Sequence, residues 1–275
     1  FSGQQRKDFT FEETRQNIQL NALNTTGFQS ANGDHEIALT TYLLRDTLKR
    51  SRIADILNER DVSENLLRQE STDFLERQIW QAQLNGSHFF PGAGDLEANW
   101  RLAYGEAERD APYERQSLRQ QTNAGNFQAF NNTAGDNSII FSDLKDENLF
   151  AAIDFTKPLE FEQVYVDLKF GGAYADNSRV TNRNVFSLGD AQIGGGTDLL
   201  DSSWLLILSD PVTASGLIDY EYNNTTQEPN FSTGDLEVTS GYAMANIEFN
   251  EFLSGMVGVR YEESTQSSST LLSSD

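Results

Sequence analysis

The chain of 275 residues has no cysteine and no long apolar run, and both absences narrow the structures open to it. Without cysteine there is no disulfide framework and no thiolate metal site. The longest apolar cluster, Trp204 to Leu208, is far shorter than the ~18 residues that indicate a transmembrane helix. Transmembrane helices are therefore excluded, whereas strands that cross a membrane are not.

Basic residues are also scarce. Lys and Arg total 20 against 42 Asp and Glu, for a formal net charge of -22. This balance argues against nucleic acid as a partner, because phosphate binding needs clustered Lys and Arg. Two interpretations of the acidity stay open, solubility of exposed loops and an acidic binding surface.

Overall polarity does not decide between a soluble and a membrane protein. The chain is 37% hydrophobic, and its mean hydropathy is -0.53. A transmembrane barrel is compatible with these values, because it places apolar residues at only every second position of a strand. The arrangement of the apolar residues is therefore more informative than their number.

The two ends of the sequence predict an internal fragment of a longer protein. The first residues, Phe1 to Gln4, carry no initiator Met, no basic segment and no apolar signal-peptide core. The last residues, Leu271 to Asp275, stop inside a Ser-rich stretch. We therefore expect further sequence on both sides.

The segment from Gly241 to Glu262 reads as a β-hairpin with a turn at residues 250–252. Successive side chains of a strand point to opposite sides, so a period of two separates an apolar face from a polar one. The alternation continues through the turn, as in a hairpin. The apolar face carries Ala243, Ala245, Ile247, Phe249, Val257, Val259 and Tyr261.

The same alternation recurs in six further segments, which we predict to be strands. Turn signals such as Asn32-Gly33 and Pro91-Gly92 lie between them. Their apolar faces carry Ile18, Leu20 and Ala22; Ile37, Leu39, Thr41 and Leu43; Trp80, Ala82, Leu84 and Gly86; Ala98, Trp100, Leu102 and Tyr104; Leu149, Ala151, Ile153 and Phe155; and Val164, Val166, Leu168, Phe170 and Tyr174.

These segments predict eight strands in four hairpins. Short turns are expected near residues 31, 93, 158 and 250, and long loops near residues 58, 125 and 205 and beyond 266. The first long loop, Arg45 to Ser71, is expected to hold a short helix because Ile53, Ile56 and Leu57 have helical spacing, with a frayed strand extension as the alternative. Residues 106–147 and 180–234 are expected to be the other polar excursions.

The predicted fold class is all-β, an antiparallel up-and-down transmembrane β-barrel. Short turns at one end and long loops at the other are typical of outer-membrane barrels. A strand of ~10 residues tilted near 45° covers ~24 Å, close to the apolar band of such barrels. A sandwich core would exclude charge from the apolar faces equally well, so the sorted connections decide the prediction.

Two stretches resemble a known family. The segments Gly241–Ile247 and Gly258–Glu262, together with Trp100–Pro112, are similar to barrel segments of bacterial TonB-dependent outer-membrane receptors. The resemblance implies a 22-stranded barrel, of which residues 1–275 would supply about eight strands, with short periplasmic turns and long extracellular loops. The plug domain and the TonB box of the family are not present in this sequence.

The resemblance further implies a transporter without catalytic activity. Members import siderophore-bound iron, cobalamin, carbohydrates or other scarce nutrients with energy relayed by TonB, ExbB and ExbD through the plug. The expected partners are this complex, the lipid and lipopolysaccharide of the outer membrane and a small nutrient ligand. No cofactor and no nucleic acid are expected.

The candidate functional residues follow from the polar faces of the strands. A barrel interior holds water, plug contacts and passing solute, and its charges tune selectivity. Contacts that only hold the plug or one another are the alternative role. The lumen-facing candidates are Glu97, Asn99, Arg101, Asp154, Asp167, Lys169, Asn246 and Arg260, and the loop candidates for stacking on a substrate are Tyr113, Trp204 and Tyr222.

No catalytic or metal site is predicted. The two histidines, His35 and His88, lie on different predicted hairpins beside turns, which argues against a shared metal site or a hydrolase triad. The alternative to an importer is a secreted, soluble β-rich binding or structural protein with an acidic surface.

Overall fold

The computed structural model describes residues 8–57, 66–129, 137–162, 164–188, 220–222 and 230–271. These residues form a single antiparallel β-sheet of ten strands. They contain no α-helix, and one 3-10 turn at Pro91–Ala93. The strands are β1 Asp8–Gln29, β2 His35–Leu57, β3 Leu67–Phe90, β4 Leu96–Gln121, β5 Phe127–Ala129, β6 Ser138–Phe161, β7 Val164–Leu188, β8 Tyr220–Tyr222, β9 Phe231–Asn250 and β10 Leu253–Leu271.

The eight long strands follow one another in an up-and-down order. Each pairs with its neighbour in the chain, in the order β1-β2-β3-β4-β6-β7-β9-β10. The three-residue strands β5 and β8 pair with β4 and β7. The prediction of an all-β, antiparallel up-and-down sheet is confirmed. Within the described residues the sheet is open, because β1 and β10 do not pair with each other.

The connections are sorted by length between the two ends of the sheet. Residues 30–34, 91–95, 162–163 and 251–252 join successive strands at one end, which we call the turn rim. The strand ends that precede and follow residues 58–66, 122–137 and 189–230 lie at the other end, which we call the loop rim. The predicted sorting is confirmed.

The turn predicted near residue 158 is wrong. Lys157 and Pro158 lie inside β6, where Pro158 is paired with Asp167 of β7. On its other side β6 is paired with β4 only as far as Thr156. A proline has no N–H to donate and is tolerated in a strand where one side has no partner. The turn signal was therefore the end of the β4 pairing and not the end of the strand.

The long strands contain 19 to 26 residues and are roughly twice the predicted length. The helix predicted around Ile53, Ile56 and Leu57 is wrong, because these residues belong to β2. The charged stretch pairs with neighbours on both sides, for example Ile53 with Glu12 and Glu70. The alternative of a strand extension is confirmed, since backbone pairing outweighs a local apolar spacing.

The other polar excursions are also shorter than predicted. Of residues 106–147, β4 includes everything up to Gln121 and β6 begins at Ser138. Of residues 180–234, β7 extends to Leu188 and β9 begins at Phe231. Beyond residue 266 β10 continues to Leu271. These extensions are rich in charged and polar residues and their apolar residues do not alternate regularly, so they lack the pattern by which strands are recognised in a sequence.

Pro112 marks the one irregularity in β4. The pairing of β4 shifts between Ala111 and Glu114, and β3 shifts opposite it between Phe74 and Glu76. The extra residue of the bulge inverts the alternation of side chains along β4. Before the bulge the even-numbered residues of β4 lie on one side of the sheet, and after it the odd-numbered residues lie on that side. Proline is accepted at such a bulge because a ladder bond is already interrupted there.

The pairing brings the apolar faces of all eight long strands to one side of the sheet. The following residues lie in line across the strands: Leu39, Leu84, Leu102 and Ala151, followed by Tyr174 and Thr239. We call this side the apolar face and the other the polar face. The predicted division of each strand into two faces is therefore consistent across the whole sheet.

The apolar face is not covered by a second layer within the described residues. The buried apolar residues of the described part are few and small, and they lie on both faces: Ala54, Ala98, Ala111, Ala152 and Val185. Large side chains of the apolar face are exposed, including Leu102 at 48% and Val259 at 72%. No described helix has the length and apolar character needed to cross a membrane.

A ring of Trp100 lies over Gly86 on the apolar face near the turn rim. A Cβ placed on Gly86 would overlap the indole atoms Cε2 and Nε1 of Trp100. The indole Nε1 donates a hydrogen bond of 2.9 Å to Nε2 of His88. The glycine thus provides the hollow in which the ring reaches across to β3.

Gly86→Ala is expected to destabilise the protein by about 1–3 kcal/mol, because the new methyl group displaces the Trp100 ring. The midpoint of urea unfolding, followed by tryptophan fluorescence, measures the change. Gly27→Ala is the matched control, since a Cβ there would have its nearest atom at 3.6 Å, an ordinary contact. Equal effects of the two substitutions would contradict the role given to the hollow.

Asp55 and Arg68 join β2 to β3 near the loop rim, with Nε to Oδ1 at 2.7 Å and Nη2 to Oδ2 at 2.9 Å. These hydrogen bonds from Arg68 hold the pKa of the Asp55 carboxyl below its ordinary value of 3.8. A lowered pKa stabilises the folded state above that ordinary value, and the contribution is lost as pH falls through the lowered pKa.

Asp55→Asn should therefore lower the free energy of unfolding at neutral pH by about 0.2–1 kcal/mol, as for a partly exposed ion pair. Urea unfolding at pH 7 and at steps below pH 4 measures the difference between the two proteins. The difference should shrink on acidification. A difference that stays constant or grows at low pH would show that the ion pair is not its cause.

Candidate functional site

The polar face carries a row of side chains that crosses five neighbouring strands, β4, β6, β7, β9 and β10. The row lies near the turn rim. Cross-strand pairing aligns Asn99 with Asp154, Asp154 with Gly171, Gly171 with Tyr242, and Tyr242 with Arg260. Side chains in directly paired positions stand on the same face. The row therefore unites four polar side chains from β4, β6, β9 and β10 around a glycine of β7.

Tyr242 and Asp154 are in contact across β7. The Tyr242 hydroxyl donates a hydrogen bond of 2.7 Å to Oδ1 of Asp154. The intervening residue is Gly171, where a Cβ would lie 2.5 Å from the carbonyl oxygen of Ile153 and 2.7 Å from Oδ1 of Asp154. Only a residue without a side chain leaves room for this contact.

Arg101 supplies the positive charge next to Asp154. Its Nη2 lies 3.6 Å from Oδ2 of Asp154, and its guanidinium carbon lies 5.8 Å from the centre of the Phe150 ring. The Arg101 side chain is 54% exposed, so part of the guanidinium faces solvent. The carboxylate is therefore balanced by one cation and one hydroxyl, while Arg101 keeps donors available to another molecule.

The eight lumen-facing candidates all lie on the polar face. The structure brings Arg101 and Asp154 into contact and pairs Asp167 with Asn246 directly. Lys169 is opposite Thr156 and Met244, and Glu97 is opposite Thr156. Arg260 makes a 2.6 Å ion pair with Glu262 on its own strand. The candidates thus share one surface, although only some of them are in contact.

The loop candidates are placed differently from the prediction. Tyr113 lies in β4 and not in a loop, on the side of the apolar face, with the guanidinium of Arg115 3.7 Å from its ring centre. Tyr222 belongs to the short strand β8. Trp204 lies outside the described residues. Their role in binding a substrate stays a prediction.

Tyr242 was not among the predicted site residues, although alternation already placed it on the polar face. The missing information was its contact partner, which lies 88 positions away in the chain. The available signal was the pair Gly171-Gly172 within a strand, since a glycine in a strand interior often marks close approach of another group. Nothing in the sequence connects that glycine to Tyr242.

The two histidines are neighbours, which the sequence did not predict. His35 and His88 are directly paired, and their Nδ1 atoms are 3.3 Å apart. Because the Trp100 indole can only donate, Nε2 of a neutral His88 accepts, so its Nδ1 carries the proton and donates to His35. The contacts form a hydrogen-bonded chain from Trp100 through His88 to His35.

That chain leaves His88 without a lone pair for a metal ion. Both of its ring nitrogens are engaged, one as an acceptor and one as a donor. Among the described residues there is no group of three or more His, Cys, Asp or Glu that could hold a metal. We therefore assign the histidine pair to the packing of the turn rim.

No protein-family profile matches the sequence, and no curated protein matches it. Among solved structures, the chain is similar to BauA, the ferric preacinetobactin receptor from Acinetobacter baumannii, with a TM-score of 0.44 and 10% identity. The similarity covers 97% of this chain and 42% of the receptor, so the chain spans about two fifths of that protein's length. A likeness this distant assigns no function.

Tyr242→Phe is expected to destabilise the protein by about 1–2 kcal/mol, because Asp154 loses a hydrogen bond to its carboxylate. Urea unfolding measures the effect. Tyr174→Phe is the matched control on the apolar face, where the hydroxyl has no hydrogen-bond partner among the described residues. A loss no greater than in the control would contradict the contact across Gly171.

Proposed function

We propose that this chain is part of the barrel wall of a TonB-dependent outer-membrane receptor that imports a scarce nutrient. One observation carries the proposal: eight long strands turn their apolar faces to the same side, and no described element covers that side. An apolar surface of this extent is stable in contact with lipid and costly in water. The arrangement supports a sheet that stands in a membrane with one face towards lipid.

The distribution of charge on the apolar face supports lipid contact. Its central band consists of alternate residues within 18–28, 37–43, 80–90, 96–104, 149–161, 164–174, 239–249 and 255–261. The one Lys, Arg, Asp or Glu in this band is Lys157, whose ammonium group donates to the carbonyls of Ala93 and Gly94 at the turn rim. A lysine that reaches the boundary in this way avoids burying its charge in lipid.

The aromatic residues near the turn rim fit the same position. His35, His88, Phe90 and Trp100 form a contact cluster on the apolar face, with ring centres 5.3 to 6.3 Å apart. Rings with a polar edge are favoured at the boundary between hydrocarbon and water. The turn rim would then lie at the periplasmic surface, and the loop rim outside the cell.

The open edges support a larger barrel. Within the described residues, the outer edges of β1 and β10 have no partner strand. Unpaired backbone groups cost several kcal/mol each in hydrocarbon, so a membrane sheet has to close. We propose that further strands of the same protein complete the barrel, and that the polar face lines its interior.

The strand lengths support a wall that continues beyond the membrane. At ~3.3 Å per residue and a tilt of ~45°, a strand of 26 residues rises ~60 Å, against an apolar band of ~25 Å. The upper part, where charged residues such as Lys49 and Arg50 lie on both faces, would stand in water outside the membrane. Import itself is proposed from the resemblance, with a plug domain and the TonB, ExbB and ExbD complex as partners and without catalytic activity.

Leu102→Arg and Ala103→Arg test the orientation of the sheet with the same new side chain on neighbouring positions. Leu102 is on the apolar face and Ala103 on the polar face. In the full-length protein, Leu102→Arg should lower stability by about 2–4 kcal/mol, because the charge would stand near the bilayer midplane. Ala103→Arg should cost less than about 1 kcal/mol, because it would face a water-filled interior.

The measurements are recovery in the outer-membrane fraction and urea unfolding in detergent or lipid vesicles. The unsubstituted protein should be found in the outer-membrane fraction and should need detergent for extraction. A protein that is soluble in buffer without detergent would support the secreted β-rich alternative. An equal cost for the two arginine substitutions would overturn the assignment of the lipid-facing side.

A further inference from the structure

Three arginines meet on the polar face in the upper part of the sheet. Arg15 and Arg50 are directly paired across β1 and β2. Arg52 is two positions further along β2 and therefore on the same face. The chain has only 20 basic residues against 42 acidic ones. A concentration of positive charge at this point runs against the composition of the chain.

The neighbouring carboxylates neutralise only part of this charge. Arg50 makes a 2.6 Å ion pair with Asp73. Glu114 lies 3.6 Å from Arg109 and so has a different partner. Within the described residues, neither Arg15 nor Arg52 makes an ion pair with a carboxylate. Glu13 is paired with Arg52 in the ladder without forming an ion pair.

The guanidinium of Arg52 packs against an aromatic ring, and its Nε atom makes no hydrogen bond within the described residues. Its central carbon lies 4.6 Å from the centre of the Phe11 ring. The Nε atom is buried and has no hydrogen-bond partner among the described residues. A buried donor without a partner costs free energy, and like charges placed directly opposite on neighbouring strands also repel. An anion bound between the arginines would reduce the repulsion between their charges.

A depression of about 200 Å³ opens beside Arg50 and Arg52. Its polar lining consists of Arg50, Arg52, Arg115, Gln69, Ser71 and Gln116, together with the carboxylates of Asp73 and Glu114. Those two carboxylates already have arginine partners, Arg50 for Asp73 and Arg109 for Glu114. The amide and hydroxyl groups add neutral donors to the guanidinium groups. The volume is below that of pockets that enclose a whole drug-sized ligand, so it suits one charged group of a larger molecule.

We propose that this arginine cluster, Arg15, Arg50 and Arg52, is an anion-binding site for the nutrient, which would then carry a carboxylate or phosphate group. The planar guanidinium fork matches both groups with two parallel hydrogen bonds. The inference rests on the proposed function, because that function makes the polar face the interior of the barrel. The cluster lies towards the loop rim, where a solute arriving from outside would first meet the interior wall.

The test compares two substitutions that each remove one positive charge from β2, on opposite faces and three positions apart. Arg52→Gln acts on the polar face, and Lys49→Gln acts on the apolar-face side, where the Lys49 ammonium lies 5.7 Å from the Phe74 ring centre. The full-length protein in detergent is titrated calorimetrically with citrate and with inorganic phosphate, and with maltose as a neutral probe. Citrate or phosphate should bind, and maltose should not compete.

Arg52→Gln is expected to weaken binding of the anion at least tenfold, and Lys49→Gln less than twofold. Arg15→Gln, at an exposed position, is the second variant if Arg52→Gln fails to fold, with the same expected loss. No binding of citrate or phosphate by the unsubstituted protein would overturn the proposal. Equal losses in the variants of the two faces would also overturn it, since they would reflect net charge alone.

The two proposals fail separately. A protein that is recovered in the outer membrane but binds neither anion contradicts the arginine site and leaves the barrel assignment in place. A protein that is soluble without detergent contradicts the barrel assignment, whatever it binds.

Discussion

The structure depends on cross-strand pairing that keeps a period of two in phase over eight strands. A shift of one residue in any ladder would move every side chain of that strand to the other face. The ladders instead align apolar positions with apolar positions from β1 to β10. The result is a sheet with one apolar and one polar face, whose stability depends on what surrounds it and not on a core of its own.

In a sheet of one layer, contacts between neighbouring strands take over part of the role of a core. The same device occurs on both faces. On the apolar face Trp100 lies over Gly86, and on the polar face Tyr242 reaches Asp154 over Gly171. Each glycine gives an aromatic ring room to cross a strand, and each ring ends in a hydrogen bond. These contacts fix strands to one another where packing from above is not available.

Ion pairs do the same in the upper part of the sheet. Arg45 with Glu76, Arg50 with Asp73 and Arg68 with Asp55 connect β2 to β3 at successive heights. Each pair is partly exposed and contributes modestly to stability. The pairs recur along the two strands because neighbours across the strands carry opposite charges. Arg15 and Arg52 are exceptions to this pattern, and this is why we propose that they bind an anion.

Alternation in the sequence was sufficient to predict the central strands, their faces and the sorting of the connections. It predicted all eight lumen candidates on one face because the period of two is a local property of each strand. It failed where charged residues interrupt the alternation, as around Ile53 and in residues 106–121. It also failed at Pro158, whose missing N–H is tolerated inside β6.

What the sequence determined by itself is the pattern of each strand, because the direction of a side chain depends only on its position along the backbone. Which strands meet, and at which residue, was decided by the tertiary structure. The contact of Tyr242 with Asp154, the pairing of His35 with His88 and the meeting of Arg15 with Arg50 all join residues distant in the chain. Such contacts depend on the alignment of whole strands, and no local pattern contains that information.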